Sequence, residues 1–190
     1  MRVRTAYVVF DFESYYNERY SLARMSTEAY CLDPRFQIIA VAVRFLDREM
    51  NPLDGAVCRG SGACGGDPAA AEFLKDCLEA APDAAWVAHN AWFDGFILER
   101  ILGIEPARIV CTAALSNWTG HSRIHGRSLK SLCAGLGVGE KGGERETAKG
   151  LRLEDFSPEL LERYERYCMN DADLCAGLLK VLGPLCPPEA

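Results

Sequence analysis

Residues 164–179 read YERYCMNDADLCAGLL. At helical spacing, Leu160, Tyr164, Tyr167, Asp171, Leu174 and Leu178 fall on one stripe. Five of those six positions suit a buried face, and the sixth is an aspartate. A buried, unpartnered carboxylate is costly, so Asp171 needs a base or a cation beside it. Tyr167 precedes it by four residues, about 40° around the helix axis, and the two can serve one site. Asp173 points elsewhere. Tyr164 is the rival tyrosine, but it lies two turns from Asp171. The plainer account of Tyr167 is a core aromatic whose hydroxyl finds a partner.

The search for that partner turns up other carboxylates. YVVFDFES (7–14) reads as a strand, and alternation puts Asp11 and Glu13 on one face and Phe12 on the other. Acids are also common where a strand edge gives way to a turn. HNAWFDGFILERI (89–101) sets Asp94 at the start of a helix after a strand. A cap is the ordinary role for an aspartate there, and Asn90 suits either a cap or a turn. Each signal alone is weak; together they are stronger. Four carboxylates in one cleft would repel and raise one another's pKa unless cations neutralised them. Hard divalent ions with oxygen ligands do so, and Mg²⁺ or Mn²⁺ fits better than zinc. Two such ions about 4 Å apart clamp the attacking and leaving oxygens of an in-line phosphoryl displacement.

The order of elements predicts an α/β fold. Strands are expected at 7–14 and 37–46, antiparallel to each other, with a short third at 57–58. A helix over 68–81 is capped by Asp67 with Pro68 in its first turn. Then come a strand (84–90), a helix (93–103), a strand (108–115), a helix (128–137) stopped by Gly137, and a glycine-rich loop (139–150). That loop lacks the GK[ST] of a phosphate loop. Ser157 and Pro158 open the last helix, with Asn170–Asp171 as a point where it could break. This order gives a mixed sheet of about five strands with helices on its faces, and one domain over 1–190 with a tail from about 183.

Composition narrows the class. The chain of 190 residues is 49% hydrophobic and 25% charged, as in a soluble globular domain. No apolar run is long enough to span a bilayer, and the N-terminus lacks a signal-peptide pattern, so a cytoplasmic setting is expected. The nine cysteines are odd in number and form no CxxC pair, which favours reduced thiols over disulfides or zinc. A net charge of −6 argues against a protein that coats nucleic acid, but not against an enzyme that grips a strand end. Residues 121–152 are locally basic, through Arg123, Arg127, Lys130, Lys141, Arg145, Lys149 and Arg152. They suit either a phosphate track or an ordinary solvated loop.

DFE, HNAWFD and YCMNDADL resemble the three motifs of the DEDD 3′–5′ exonuclease superfamily, which has a ribonuclease H-like fold. The resemblance covers residues 7 to about 180. Tyrosine four residues before the last aspartate is similar to the DEDDy branch; the other branch has a histidine where this chain has Arg166. The stretch from Cys111 to Leu174 resembles the proofreading exonuclease region of phage and bacterial family A DNA polymerases, with ribonuclease D more distant. The resemblance implies that Asp11, Glu13 and Asp171 ligate one Mg²⁺ or Mn²⁺ ion. Asp11 would bridge to a second ion, which Asp94 would reach through water. Tyr167 would orient the attacking water, Asn90 and Phe93 would support the second motif, and Phe12 would pack near the terminal nucleotide. Relatives usually carry aspartate where this chain has Cys111.

The activity so implied is removal of nucleoside 5′-monophosphates from single-stranded DNA 3′ ends, in a bacterium or phage-infected cell. Proofreading and repair are both compatible tasks, and any polymerase partner is expected as a separate chain. Phe12, Trp92 or Trp118 could stack bases, though the two tryptophans suit a core equally well. Arg123, Arg127, Lys130 and Lys149 are the candidate phosphate contacts. The rival readings are an exoribonuclease and a non-catalytic nucleic-acid-binding or polymerase-docking module.

Overall fold

The computed structural model describes residues 4–186. Its strands are β1 (Tyr7–Ser14), β2 (Ile38–Leu46), β3 (Pro52–Arg59), β4 (Ala85–Ala88) and β5 (Ile109–Cys111). They form one five-stranded sheet in the order β3-β2-β1-β4-β5. β2 pairs antiparallel with both β1 and β3, whereas β1–β4 and β4–β5 are parallel. One strand therefore runs against the other four, the mixed α/β architecture expected of a ribonuclease H-like fold.

Local sequence explains most of this. β2 and β4 are near-continuous apolar runs because both faces of the central sheet are covered. β3 is a largely exposed edge that begins on Pro52, where a missing N–H does no harm. It spans eight residues rather than the two expected at 57–58. Pairing with β2 defines it, not an apolar pattern of its own.

The helices are α1 (Thr27–Cys31), α2 (Pro68–Ala80), α3 (Ala91–Phe96), α4 (Thr112–Trp118), α5 (His121–His125), α6 (Leu129–Leu136), α7 (Glu144–Ala148) and α8 (Pro158–Leu182). In α2, the Asp67 carboxylate accepts the Ala70 N–H at 3.0 Å. α6 ends at Gly137, whose φ of 66° suits a residue without Cβ.

Several boundaries depart from the sequence reading. The strand expected over 108–115 stops at Cys111, and α4 follows. A short apolar run reads as strand or helix alike, and burial of Ala113 and Ser116 decides for helix. The expected loop 139–150 contains α7, with Ala148 as its buried residue. The helix placed at 93–103 begins at Ala91 and passes into a π-helical turn, Ile97–Ile101. α8 runs unbroken for 25 residues. Asn170 and Asp171 do not break it, because their side chains bond to Glu140 and Lys141 instead of competing for the helix backbone.

The sheet has two dissimilar sides. On one, Val8, Phe10 and Phe12 of β1 pack with Leu74 of α2, Trp86 of β4 and Ile97. The rings of Phe10 and Trp86 meet edge-on at 5.4 Å. On the other lies α8, with Cys168 and Ala172 against Ala40 and Ala42, and Cys175 and Leu179 against Val9 and Val87. In register, Asp11 faces Ala42 and Glu13 faces Ala40 across the β1–β2 pair. Those alanines share the carboxylates' face, and their small side chains let α8 settle close to β1.

The nine cysteines are free, five of them buried. Among the described residues, no helix is long and apolar enough to cross a membrane. Of the expected tail, Gly183–Leu185 forms a 3₁₀ turn that closes α8, and residues 187–190 lie outside the described residues.

Candidate active site

The C-terminal half of β1 carries Asp11 and Glu13 toward α8, and the strand bulges between Glu13 and Ser14. One carboxylate oxygen each from Asp11, Glu13 and Asp171 lie within 4.8 Å of one another. Asp94 comes from α3 on the neighbouring edge, and its Oδ1 accepts the Phe12 N–H at 3.2 Å. That bond ties α3 to β1; Asp94 does not cap its helix with its side chain. All four carboxylates line one cavity of about 840 Å³.

Electrostatics there oppose four negative charges. Burial is the largest cause, followed for Asp11 by its acidic neighbours Asp94, Glu13 and Asp171; its carboxyl is pushed well above the ordinary range. Burial lifts Glu13 to about 7 even though Tyr164 donates to it. It lifts Asp94 to about 7 against the Phe12 N–H. Asp171 is raised by burial and drawn back chiefly by Lys141.

Two tyrosines and a lysine complete the floor. The Tyr164 hydroxyl donates to Glu13 Oε2 at 2.7 Å, across 151 residues. Its ring stacks on Tyr167 at 5.7 Å, and Tyr167 lines the cavity. Burial holds both phenols far above their usual pKa, so each is a hydrogen-bond donor rather than a base. Lys141 Nζ donates to Asp171 Oδ2 and sits 5.0 Å above the Tyr167 ring. The other oxygen, Asp171 Oδ1, is buried without a hydrogen-bond partner. An orphaned carboxylate oxygen beside two further carboxylates fits a hard divalent cation.

This constellation sits on a chain whose residues 27–186 match the model of a 3′-5′ exonuclease family. The chain belongs to that family. Its matched span begins after β1, so Asp11 and Glu13 lie on a strand outside the match. No curated protein matches the sequence significantly. Among solved structures, Brucella melitensis NrnC is similar with TM-score 0.62 and 19% identity, over 96% of this chain and 74% of that one. The family B DNA polymerase of Pyrobaculum calidifontis aligns with TM-score 0.65 and 19% identity, over 95% of this chain and 25% of that one. The catalytic core of Trypanosoma brucei RRP6 aligns with TM-score 0.59 and 15% identity, over 95% of this chain and 41% of that one. At such identities the likeness establishes the shared fold.

In the exonuclease domain, the remaining predicted residues divide. Arg127, Lys130, Asn90 and Phe93 line the cavity; Arg123 and Lys149 do not. Lys149 faces exposed Glu18 at 3.3 Å beside a neighbouring depression, a contact of little energetic weight. Asn90 takes the left-handed conformation, φ 59°, at the start of α3 and makes no side-chain cap. Phe12 borders the cavity, but its ring is 4% exposed and packs edge-on against Phe10, so it is a core residue first. Trp92 and Trp118 are 77% and 69% exposed, which removes the core reading for both.

Three contributors were missed as site residues. Lys141 and Arg145 line the cavity, although the sequence offered them only as members of a basic stretch. His89 bonds Thr112 Oγ1 at 2.9 Å and the Arg127 carbonyl at 3.1 Å, pinning the Arg127 loop to the end of β4. Nothing in the local pattern around these residues marks them, because their partners are distant in sequence.

Proposed function

We propose that the exonuclease domain removes nucleoside 5′-monophosphates from the 3′ ends of single-stranded DNA by DEDDy-type, two-metal chemistry. The observation that carries this reading is the convergence of Asp11, Glu13 and Asp171 within 4.8 Å, with Asp171 Oδ1 unpartnered. Asp11, Glu13 and Asp171 would hold one Mg²⁺ or Mn²⁺, and Asp11 and Asp94 the second. Bound there, the ions supply the positive charge that lowers the pKa of the attacking water and shields the phosphate.

The chain's own groups do the rest. Asp11 and Asp94 stay anchored because the strand and the helix that bear them are joined through Phe12 N–H. Tyr164 holds Glu13 in one orientation. Tyr167 keeps its proton, so its hydroxyl can point the attacking water without competing for the proton that water loses. Arg127, Lys130 and Arg145 along the wall suit the backbone of an incoming strand. A single strand can deliver its terminal phosphodiester to the bottom of such a cavity.

The test is incubation of 3′- and 5′-labelled DNA and RNA oligomers of matched sequence with Mn²⁺ or Mg²⁺, with and without chelator. Stepwise shortening of 5′-labelled DNA that stops with chelator is the expected result. The RNA arm belongs in the test because NrnC, which shares the fold, was solved bound to pGG. RNA shortened while DNA survives reassigns the substrate, and strand binding without cleavage reassigns the chain to a non-catalytic module.

A further inference from the structure

One cation in the cavity has no part in that scheme. Lys141 reaches the carboxylates from the glycine-rich stretch between α6 and α7, and its side chain is 23% exposed against 1% for its partner Asp171. We propose that Lys141 is a built-in counter-cation that occupies Asp171 until a divalent ion displaces it. The inference rests on the reading of Asp11, Glu13 and Asp171 as metal ligands.

Geometry places this amine with care. The Asn170 side chain donates to the Glu140 carbonyl at 3.3 Å, one residue before the lysine. Gly142, one residue after it, runs so close to the floor that a Cβ there would come within 3.0 Å of the Tyr167 ring. Val138 seats in the notch left by Gly177, where a Cβ would meet it at 2.4 Å. The loop is therefore clamped to the same helix that bears Tyr167 and Asp171, and the lysine lies across the Tyr167 ring.

Charge explains why it stays. The ammonium pulls on Asp11, Glu13 and Asp94 as well as on Asp171, so it neutralises part of the cluster as a whole. A dication on the unpartnered Oδ1 would face the ammonium on Oδ2 across one carboxylate, and the two repel because little water screens them there. That repulsion is what would drive Lys141 off as metal enters. The loop backbone stays clamped, and the flexible four-carbon stem of Lys141 lets the amine swing away. The arrangement keeps the metal-free fold together and weakens metal binding by the same contact.

Titration calorimetry with Mn²⁺, without nucleic acid, tests this on the wild type, Lys141→Met and Lys141→Arg. Removing a competitor tightens the ligand it competes with, so Lys141→Met should bind Mn²⁺ at least about fivefold more tightly. It should also melt at a lower temperature in chelator, while Lys141→Arg stays near the wild type. If Lys141→Met does not fold, the wild type still decides. Amine labelling read by peptide mass spectrometry should rise severalfold at Lys141 on adding Mn²⁺ and stay constant at exposed Lys75. Equal or weaker Mn²⁺ affinity in Lys141→Met overturns the inference, as does unchanged labelling where that variant does not fold; either leaves the metal site standing. A wild type that binds no Mn²⁺ overturns both.

Discussion

Phe12 and Glu13 are adjacent in sequence and belong to different worlds. The ring of Phe12 is buried among Phe10, Trp86 and the helices on its side of the sheet, whereas Glu13 points across to α8, into a cavity with three other carboxylates. The apolar face of β1 gains free energy from everything it touches. The acidic face gathers groups that repel one another and are held by Tyr164 and Lys141. A single strand thus carries core residues on one face and a burden of buried charge on the other, stability given up for function.

That contrast can be broken by substitution. Asp11→Ala or Asp171→Ala should reduce cleavage by about 10³-fold or more, and for Asp11→Ala the Tm in chelator should hold or rise, checked by labelled-oligomer digestion beside thermal melting. A variant that cleaves at the normal rate removes the acidic face from the chemistry. On the other face, Phe12→Ala should cost about 3–5 kcal/mol in urea unfolding, through the cavity it leaves in the core. An unchanged unfolding midpoint there would mean the aromatic side is not the stabilising one.

The acidic face also makes a pH prediction. Glu13 and Asp94 are lifted to about 7 in the folded protein, so they bind protons more tightly folded than unfolded. The stability they contribute is complete below about pH 4 and is lost as pH rises through about 7. In chelator, the Tm should fall across that window, and Mg²⁺ should recover it at pH 8. A Tm in chelator that climbs over the same range contradicts the charge burden.

The smallest effects sharpen the division of labour between the two tyrosines. Tyr167→Phe should slow cleavage by about tenfold with metal affinity nearly unchanged, since on the proposed reading it removes only a donor to the attacking water. Tyr164→Phe should lose less in rate and more in metal affinity, because it frees Glu13. Single-turnover rates paired with Mn²⁺ titrations separate them, and the reverse pattern would exchange their roles.

Much of this was legible in the chain. The alternation in YVVFDFES shows that Asp11 and Glu13 share a face, and the stripe through Tyr164, Tyr167 and Asp171 shows a carboxylate on a buried side of a helix. Both are local consequences of backbone period. α4 is not legible as a helix because a short apolar run obeys either period, and the length of β3 is not legible because an exposed edge strand has no apolar signature.

What the sequence by itself determined was the inventory and its phase: which acids exist, which face Asp11, Glu13 and Asp171 take, and that Asp171 needs a base or a cation. The tertiary structure decided the partners. Lys141 meets Asp171 across 30 residues and Tyr164 meets Glu13 across 151, and no periodicity encodes such pairs. They follow from the closeness of α8 to β1 over Ala40 and Ala42, and from a loop seated against Tyr167 and Gly177. Local pattern is set by the geometry of one chain segment; contact between segments depends on how their side-chain volumes pack, and that exists only in the folded molecule.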